Sequence, residues 1–190
     1  MRIKILETDY TPTNIAVASA RSCYVGKSIV EPEKVENWNK KNELLDSIFK
    51  AGHHTTLQHY HFTILIEDMS RHLIWRLLHS HMFYNSEQVS QRYAKMRIEN
   101  FYIPKNVNSE EWSEYYKKMF GYYEMFCEKL EPIIKKKLPK FQKSISAKKA
   151  QEMARYILPV GMKAHLYHTI NVTTALRYIS VAKYLPEAQN

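Results

Sequence analysis

The sequence predicts an α/β (α+β) protein, and three observations carry that reading. Strand-like alternation and helix-like stripes are interspersed along the whole chain. Only 4 Gly and 7 Pro occur among 190 residues, which favours long regular elements over loops. The length suits a single domain, expected over residues 1–190, large enough to bury an ordinary core.

The elements follow in order. Met1 to Leu6 alternates Ile3 and Ile5 with Arg2 and Lys4 and reads as a short strand. Thr11-Pro12 opens a helix, a hydroxyl cap followed by a ring already fixed at helical φ; it runs to about Tyr24 and is expected to bury Ile15, Ala18 and Cys23. A second helix, about Lys34 to Lys50, carries Val35, Trp38, Leu45, Ile48 and Phe49 on one stripe, and Gly52 closes it. Tyr60 to Glu67 is β-branched and aromatic, hence a strand, and Ser70 to about His79 is helical. From Met82 to Arg97 no period survives, so this stretch reads as loop or site. The longest helix opens at Ser109 and spaces Trp112, Tyr116, Met119, Tyr123, Phe126 and Leu130 along one face, with Pro132 expected to kink or end it. Helix again runs from Ser146 to Ile157, strand from Val160 to Asn171, and helix from Val172 to Lys183.

Composition sets bounds on function. A formal charge of +9 favours anionic ligands, although lysine clusters such as Lys135 to Lys137 are equally well explained as solvated helix faces. Two cysteines are too few for a disulfide framework or a structural zinc site. With no apolar leader and no run long enough to span a bilayer, a cytoplasmic protein without membrane contact is expected. His59 and His61 would share one strand face as two nitrogen ligands, but no third ligand stands at a matching spacing, so no metal is expected. Small hydroxyls, amides and an arginine gather in Ser86 to Tyr93, residue types suited to a phosphate and a pyrimidine; a polar loop explains the same composition.

Five segments together give a more specific reading. Gly52-His53-His54-Thr55-Thr56-Leu57-Gln58-His59 is similar to a GHxSxxEH segment, and Phe62 to Arg71 is similar to FTFxIEGxSR. Ser90-Gln91-Arg92-Tyr93 matches the SQRY that ends an RHRx7S signature. Ala154 to Pro159 is similar to AREVLP, and His165 through Asn171 with Leu176 is similar to TxxxxTxNxxxL. In this order and at this spacing, over roughly residues 1 to 183, the chain resembles the flavin-dependent thymidylate synthase family. It departs from the pattern at three places. His79-Ser80-His81 stands for Arg-His-Arg and is separated from Ser90 by eight residues rather than seven; Thr173 stands for an arginine; Arg177 stands where Asn or His is frequent.

The resemblance implies the thymidylate synthase-complementing protein fold: a central mixed or antiparallel sheet flanked by long helices, assembled as a homotetramer with shared sites. It implies reductive methylation of dUMP to dTMP, with methylenetetrahydrofolate as the folate donor, and FAD and NADPH as cofactors. By motif position Ser90 and Arg92 would be catalytic, and Arg76, Gln88, Val89, Ser90, Gln91, Arg92 and Arg155 would bind dUMP. His53, Thr55, Gln58, His79, His81, Asn171 and Arg177 map to flavin-side positions. Two other classes compete: a paralogue that binds or modifies a pyrimidine nucleotide with an altered cofactor, and a basic nucleic-acid-binding protein. No recognisable binding motif supports the latter, so nucleic acid is not expected as a partner.

Overall fold

The computed structural model describes residues 1–6, 11–25, 28–80 and 84–184. Its elements in chain order are β1 (Arg2–Ile5), α1 (Pro12–Val25), α2 (Lys41–Lys50), β2 (His61–Ser70), α3 (Arg71–Ser80), β3 (Tyr84–Gln88), α4 (Ser109–Lys137), α5 (Ser146–Ala154), β4 (Lys163–Asn171) and α6 (Val172–Ala182). The strands form one four-stranded sheet in the order β1-β2-β4-β3.

The pairing is antiparallel. Val172 N donates to Tyr60 O, and Arg71 N donates to Met162 O, so partners climb along β2 as they descend β4. Between these two contacts β2 advances one residue more than β4. The surplus coincides with Asp68, whose φ of 57° places a non-glycine residue in the left-handed region, as at a β-bulge. Asp is among the few side chains that tolerate this conformation, and the family pattern has Gly there. Inward and outward residues alternate along β4, with Ala164, Leu166, His168 and Ile170 buried.

Two compact units are distinguished. The first holds 67–75 and 88–166, together with Met1. Its core is Met96, Phe101, Tyr116, Tyr123, Ala154 and Met162, gathered where α5 packs on α4. Gly161 is required there: a Cβ would lie 2.5 Å from the Tyr116 hydroxyl, which donates to Tyr102 O at 2.8 Å. The second unit holds 2–66, 76–87 and 167–190. In it Val17, Ala18 and Val35 form one cluster and Ala20, Ile48 and Leu57 another, joining α1 to α2 and to the turn at Thr56–His59.

Several expectations are corrected. The helix drawn over 34–50 is a short 3₁₀ turn, Pro32–Val35, and then α2, with Gly52 (φ 72°) closing it as expected. Cys23 is exposed, because the buried face of α1 is Asn14, Ala16, Val17, Ala18 and Ala20. Pro132 does not end α4, which runs on to Lys137 with the proline exposed. Within the stretch read as loop, Tyr84–Gln88 is a strand. It contains no β-branched residue, and backbone pairing to β4 makes it one: Val89 N, just past its end, donates to His165 O. His59 and His61 do not share a strand face, since His59 belongs to the 3₁₀ turn that precedes β2.

Candidate functional site

The first unit brings together most of the residues expected around a nucleotide. The segment 88–94 leaves β3 as a turn whose Val89 and Ala94 rest on the core of that unit. This anchors the turn from below and leaves its polar side chains outward. Tyr93 N and Ala94 N donate to Ser90 O at 3.3 and 2.9 Å. Ser90 Oγ accepts from Arg92 N at 3.2 Å, so the serine hydroxyl also shapes the turn.

Arg71, the first residue of α3, holds the segment from beneath. Its guanidinium donates to Gln88 Oε1 at 3.2 Å and, through Nη2, to Val89 O. Its Nε is buried without a partner. Burial, and next the neighbouring Arg155 cation, pull the Arg71 pKa below its usual value. Arg155 lies at the end of α5, where Nε donates to Glu152 O at 3.1 Å and the guanidinium stacks over Tyr156 at 4.9 Å. Arg92 is exposed, lies over the Tyr93 ring at 5.3 Å, and approaches Glu152 at 3.8 Å. The Glu152 carboxyl is held below its usual range, first by Lys149 and then by Arg92 and Arg155. Two arginines and a lysine thus act on one carboxylate, and a third arginine, Arg71, lies near enough to Arg155 to feel its charge. The surplus is positive, and a dianionic phosphate would relieve it.

Arg71, Gln151 and Glu152 were not among the residues singled out from sequence. Arg71 carries a legible signal, as the Arg that ends the SR pair of the second motif. Arg76 is exposed and belongs to the second unit.

The flavin-side positions also fall in the second unit. His53 Nδ1 is 3.3 Å from the Tyr24 hydroxyl. Thr55 and Gln58 are exposed at the turn before β2, which packs beside α6. Asn171 caps α6, its Oδ1 accepting from Thr174 N at 2.8 Å. His79 and Arg177 are exposed, and His81 lies outside the described residues. Thr173 Oγ1 is buried without a hydrogen-bond partner. In residue type, hydroxyl, amide and imidazole groups with Arg177 are able to hydrogen-bond a flavin nucleotide, with fewer fixed charges than the family pattern supplies.

Unforeseen from sequence is a buried imidazole in the same unit. His168 is 1% exposed, its Nε2 lies 3.1 Å from the Tyr178 hydroxyl, and the Tyr84 ring lies 5.5 Å away. Burial pulls its pKa down to about 4, and burial followed by Tyr84 pushes Tyr178 up to about 12. The pair is therefore neutral near pH 7. Among the described residues, no group of three His, Cys, Asp or Glu is arranged to hold a metal ion, and no helix is long and apolar enough to cross a membrane.

The family model described as thymidylate synthase complementing protein matches residues 4–189. The flavin-dependent thymidylate synthase of Clostridium tetani (strain Massachusetts / E88) is 26% identical over 181 residues, 94% of this chain and 72% of that protein. The flavin-dependent thymidylate synthase of Thermosipho africanus is 26% identical over 170 residues, covering 87% and 70%. Among solved structures, a UMP/dUMP methylase, PolB, from Streptomyces cacaoi bound with 5-Br dUMP superposes with a TM-score of 0.66 at 16% identity, over 94% of this chain and 76% of that one. Thymidylate synthase X from Helicobacter pylori with FAD and dUMP gives 0.60 at 19% identity, over 100% and 88%. At these identities the structural likeness shows the shared α/β fold.

Proposed function

Because this chain belongs to the thymidylate synthase complementing protein family, we propose that it binds dUMP on the 88–92 turn and methylates it reductively to dTMP. The observation that carries the reading is the Ser90-Gln91-Arg92-Tyr93 turn, kept whole and set among Arg71, Arg92 and Arg155. The nucleotide phosphate is the dianion this surplus positive charge calls for. The Arg92–Glu152 pair is long and open to solvent, so exchanging Glu152 for a phosphate costs Arg92 little. Ser90 and Arg92 contact the nucleotide, while Gln88, Val89 and Gln91 offer amide or backbone contacts to its phosphate and base. Held this way, the pyrimidine is polarised, and charge developing on the ring meets fixed donors.

In this reading methylenetetrahydrofolate donates the one-carbon unit and NADPH is the reductant. FAD, when bound, supplies the hydride that completes the methyl group. His53, Thr55, Gln58, His79, His81, Asn171 and Arg177 are the side chains that would hold it. The protein acts as one catalytic domain and a cytoplasmic homotetramer, without membrane or nucleic acid.

Replacing Arg92 tests the nucleotide side. Losing a charged donor costs roughly 1.5–3 kcal/mol, so Arg92→Ala is expected to weaken dUMP at least about tenfold in a calorimetric titration. Equal affinity in both proteins removes Arg92 from the site.

His79 and Thr173, which stand where the family pattern has arginine, favour a second reading: a paralogue with an altered cofactor. Two or three lost charge-assisted contacts at roughly 1.5–3 kcal/mol each weaken FAD by about two orders of magnitude or more. The protein is then expected to lose FAD on dialysis, read as loss of visible absorbance. Stoichiometric flavin that survives dialysis makes the ordinary synthase the correct reading.

A further inference from the structure

The turn that the proposed nucleotide site rests on has an unusual support. Ser90 satisfies the turn from within, its carbonyl taking the amides of Tyr93 and Ala94 and its hydroxyl the amide of Arg92. That leaves the carbonyls of Gln91, Arg92 and Ala94 facing away from the turn. All three are met by one side chain. Gln151 Nε2 donates to Ala94 O at 3.0 Å and lies 3.3 Å from both Gln91 O and Arg92 O. An amide nitrogen carries two hydrogens, so at least one is shared between acceptors.

Gln151 is itself fixed. Its neighbours on α5, Ala150 and Ala154, are buried, and Ser146 Oγ at the start of that helix donates to Glu131 of α4 at 3.3 Å. Arg71 grips Gln88 and Val89 from the other end of the same segment. Past Gln88, where β3 ends, the chain to Ala94 forms neither helix nor strand, so two side chains replace the ladder that a regular element would provide.

We propose that Gln151 is a positioning residue: it holds the Ser90–Arg92 turn in its nucleotide-binding conformation and does not itself touch the nucleotide. This rests on the dUMP reading given above. The bond to Arg92 O is exposed and those to Gln91 O and Ala94 O are part-buried, so water can reach into the place of the amide and removing it is expected to leave the fold nearly unchanged. What is lost is preorganisation. A turn that spends only about a tenth of its time in the competent conformation binds about tenfold more weakly.

The test uses the full chain, with Gln151→Met as a variant of similar length and helix propensity. Wild type and variant are compared by dUMP calorimetry, thermal melting and amide hydrogen exchange. The expected result is a dUMP Kd raised about tenfold and an unchanged melting temperature, with faster exchange at the Tyr93 and Ala94 amides only. Wild type that binds dUMP with a variant of equal affinity overturns the positioning role and leaves the nucleotide site standing. Wild type that does not bind dUMP removes both. A variant that melts well below wild type and exchanges faster throughout shows a structural residue, which also overturns the proposal. Should Gln151→Met not fold, Gln151→Asn keeps the amide, shortens its reach by one methylene, and carries the same expectations.

Discussion

At the scale of single residues, the same side-chain chemistry serves opposite ends. Arg71 and Arg92 both carry guanidinium groups, yet one is half-buried against Gln88 and Val89 while the other stands exposed beside Glu152. Burial fixes a turn in the first case and leaves a charge available in the second. His168 shows what burial does without a charge to offset it. Its pKa is lowered to about 4 in the folded protein, while the unfolded chain titrates near 6.5. Between those values the unfolded state binds more protons, so stability is full above about pH 6.5 and falls as pH drops towards 4. The loss approaches roughly 3 kcal/mol at the acid end, because each tenfold difference in proton affinity between the two states is about 1.4 kcal/mol. Thermal melts of wild type are therefore expected to drop steeply from pH 7 to pH 5, and those of His168→Phe much less. Parallel pH profiles in the two proteins would show that another group sets the acid limit.

Elements are shaped by their ends and irregularities. α4 starts where Asn108 accepts from the amides of Glu110 and Glu111, carries those acids in its first turn, and places Lys135, Lys136 and Lys137 in its last, all matching the helix dipole. These ends, with the burial of Tyr116 and Tyr123, outweigh Pro132. A proline inside a helix deletes one hydrogen bond and crowds the preceding turn, at about 3 kcal/mol. Since Pro132 is exposed, Pro132→Ala removes that cost without losing packing. The variant is expected to be more stable by about 1–3 kcal/mol, measured by denaturant unfolding. Unchanged or lowered stability would mean that the ring serves a contact on the helix surface. In β2 the irregularity is Asp68, which adds one residue before Ser70 and Arg71, and so sets where Arg71 emerges beneath the 88–94 turn.

For the whole molecule, the residues read as nucleotide-side, Arg76 excepted, and those read as flavin-side separate by unit. Gln88 to Arg92 and Arg155 belong to the first, and His53, Thr55, Gln58, His79, Asn171 and Arg177 to the second, with Arg76. Both units leave large apolar side chains exposed, among them Phe141 and Tyr156 in the first and Ile5 and Ile179 in the second. Such surface suits burial between subunits. The homotetramer proposed above is checked by light scattering at micromolar protein. A monomer there would count against both the assembly and a shared site.

The sequence by itself determined the α/β class, nearly every helix and strand, and the segment to which a nucleotide is assigned. Those features are local: alternation, helical stripes, caps and short motifs report neighbours two to four residues away. Thr11-Pro12, Gly52 and the alternation before Asn171 each did so. Tertiary structure alone decided the rest. β3 is a strand through its pairing with β4, the register shift sits at Asp68, and His168 is buried between Tyr84 and Tyr178. Only the fold shows that Asn171 spends its carbonyl oxygen on capping α6. The grips of Arg71 and Gln151 on the 88–94 turn likewise join residues far apart in the chain, by 17 positions at the nearest and 60 at the farthest. No local period encodes such contacts, because they arise only when packing brings distant donors to carbonyls that the turn cannot satisfy itself.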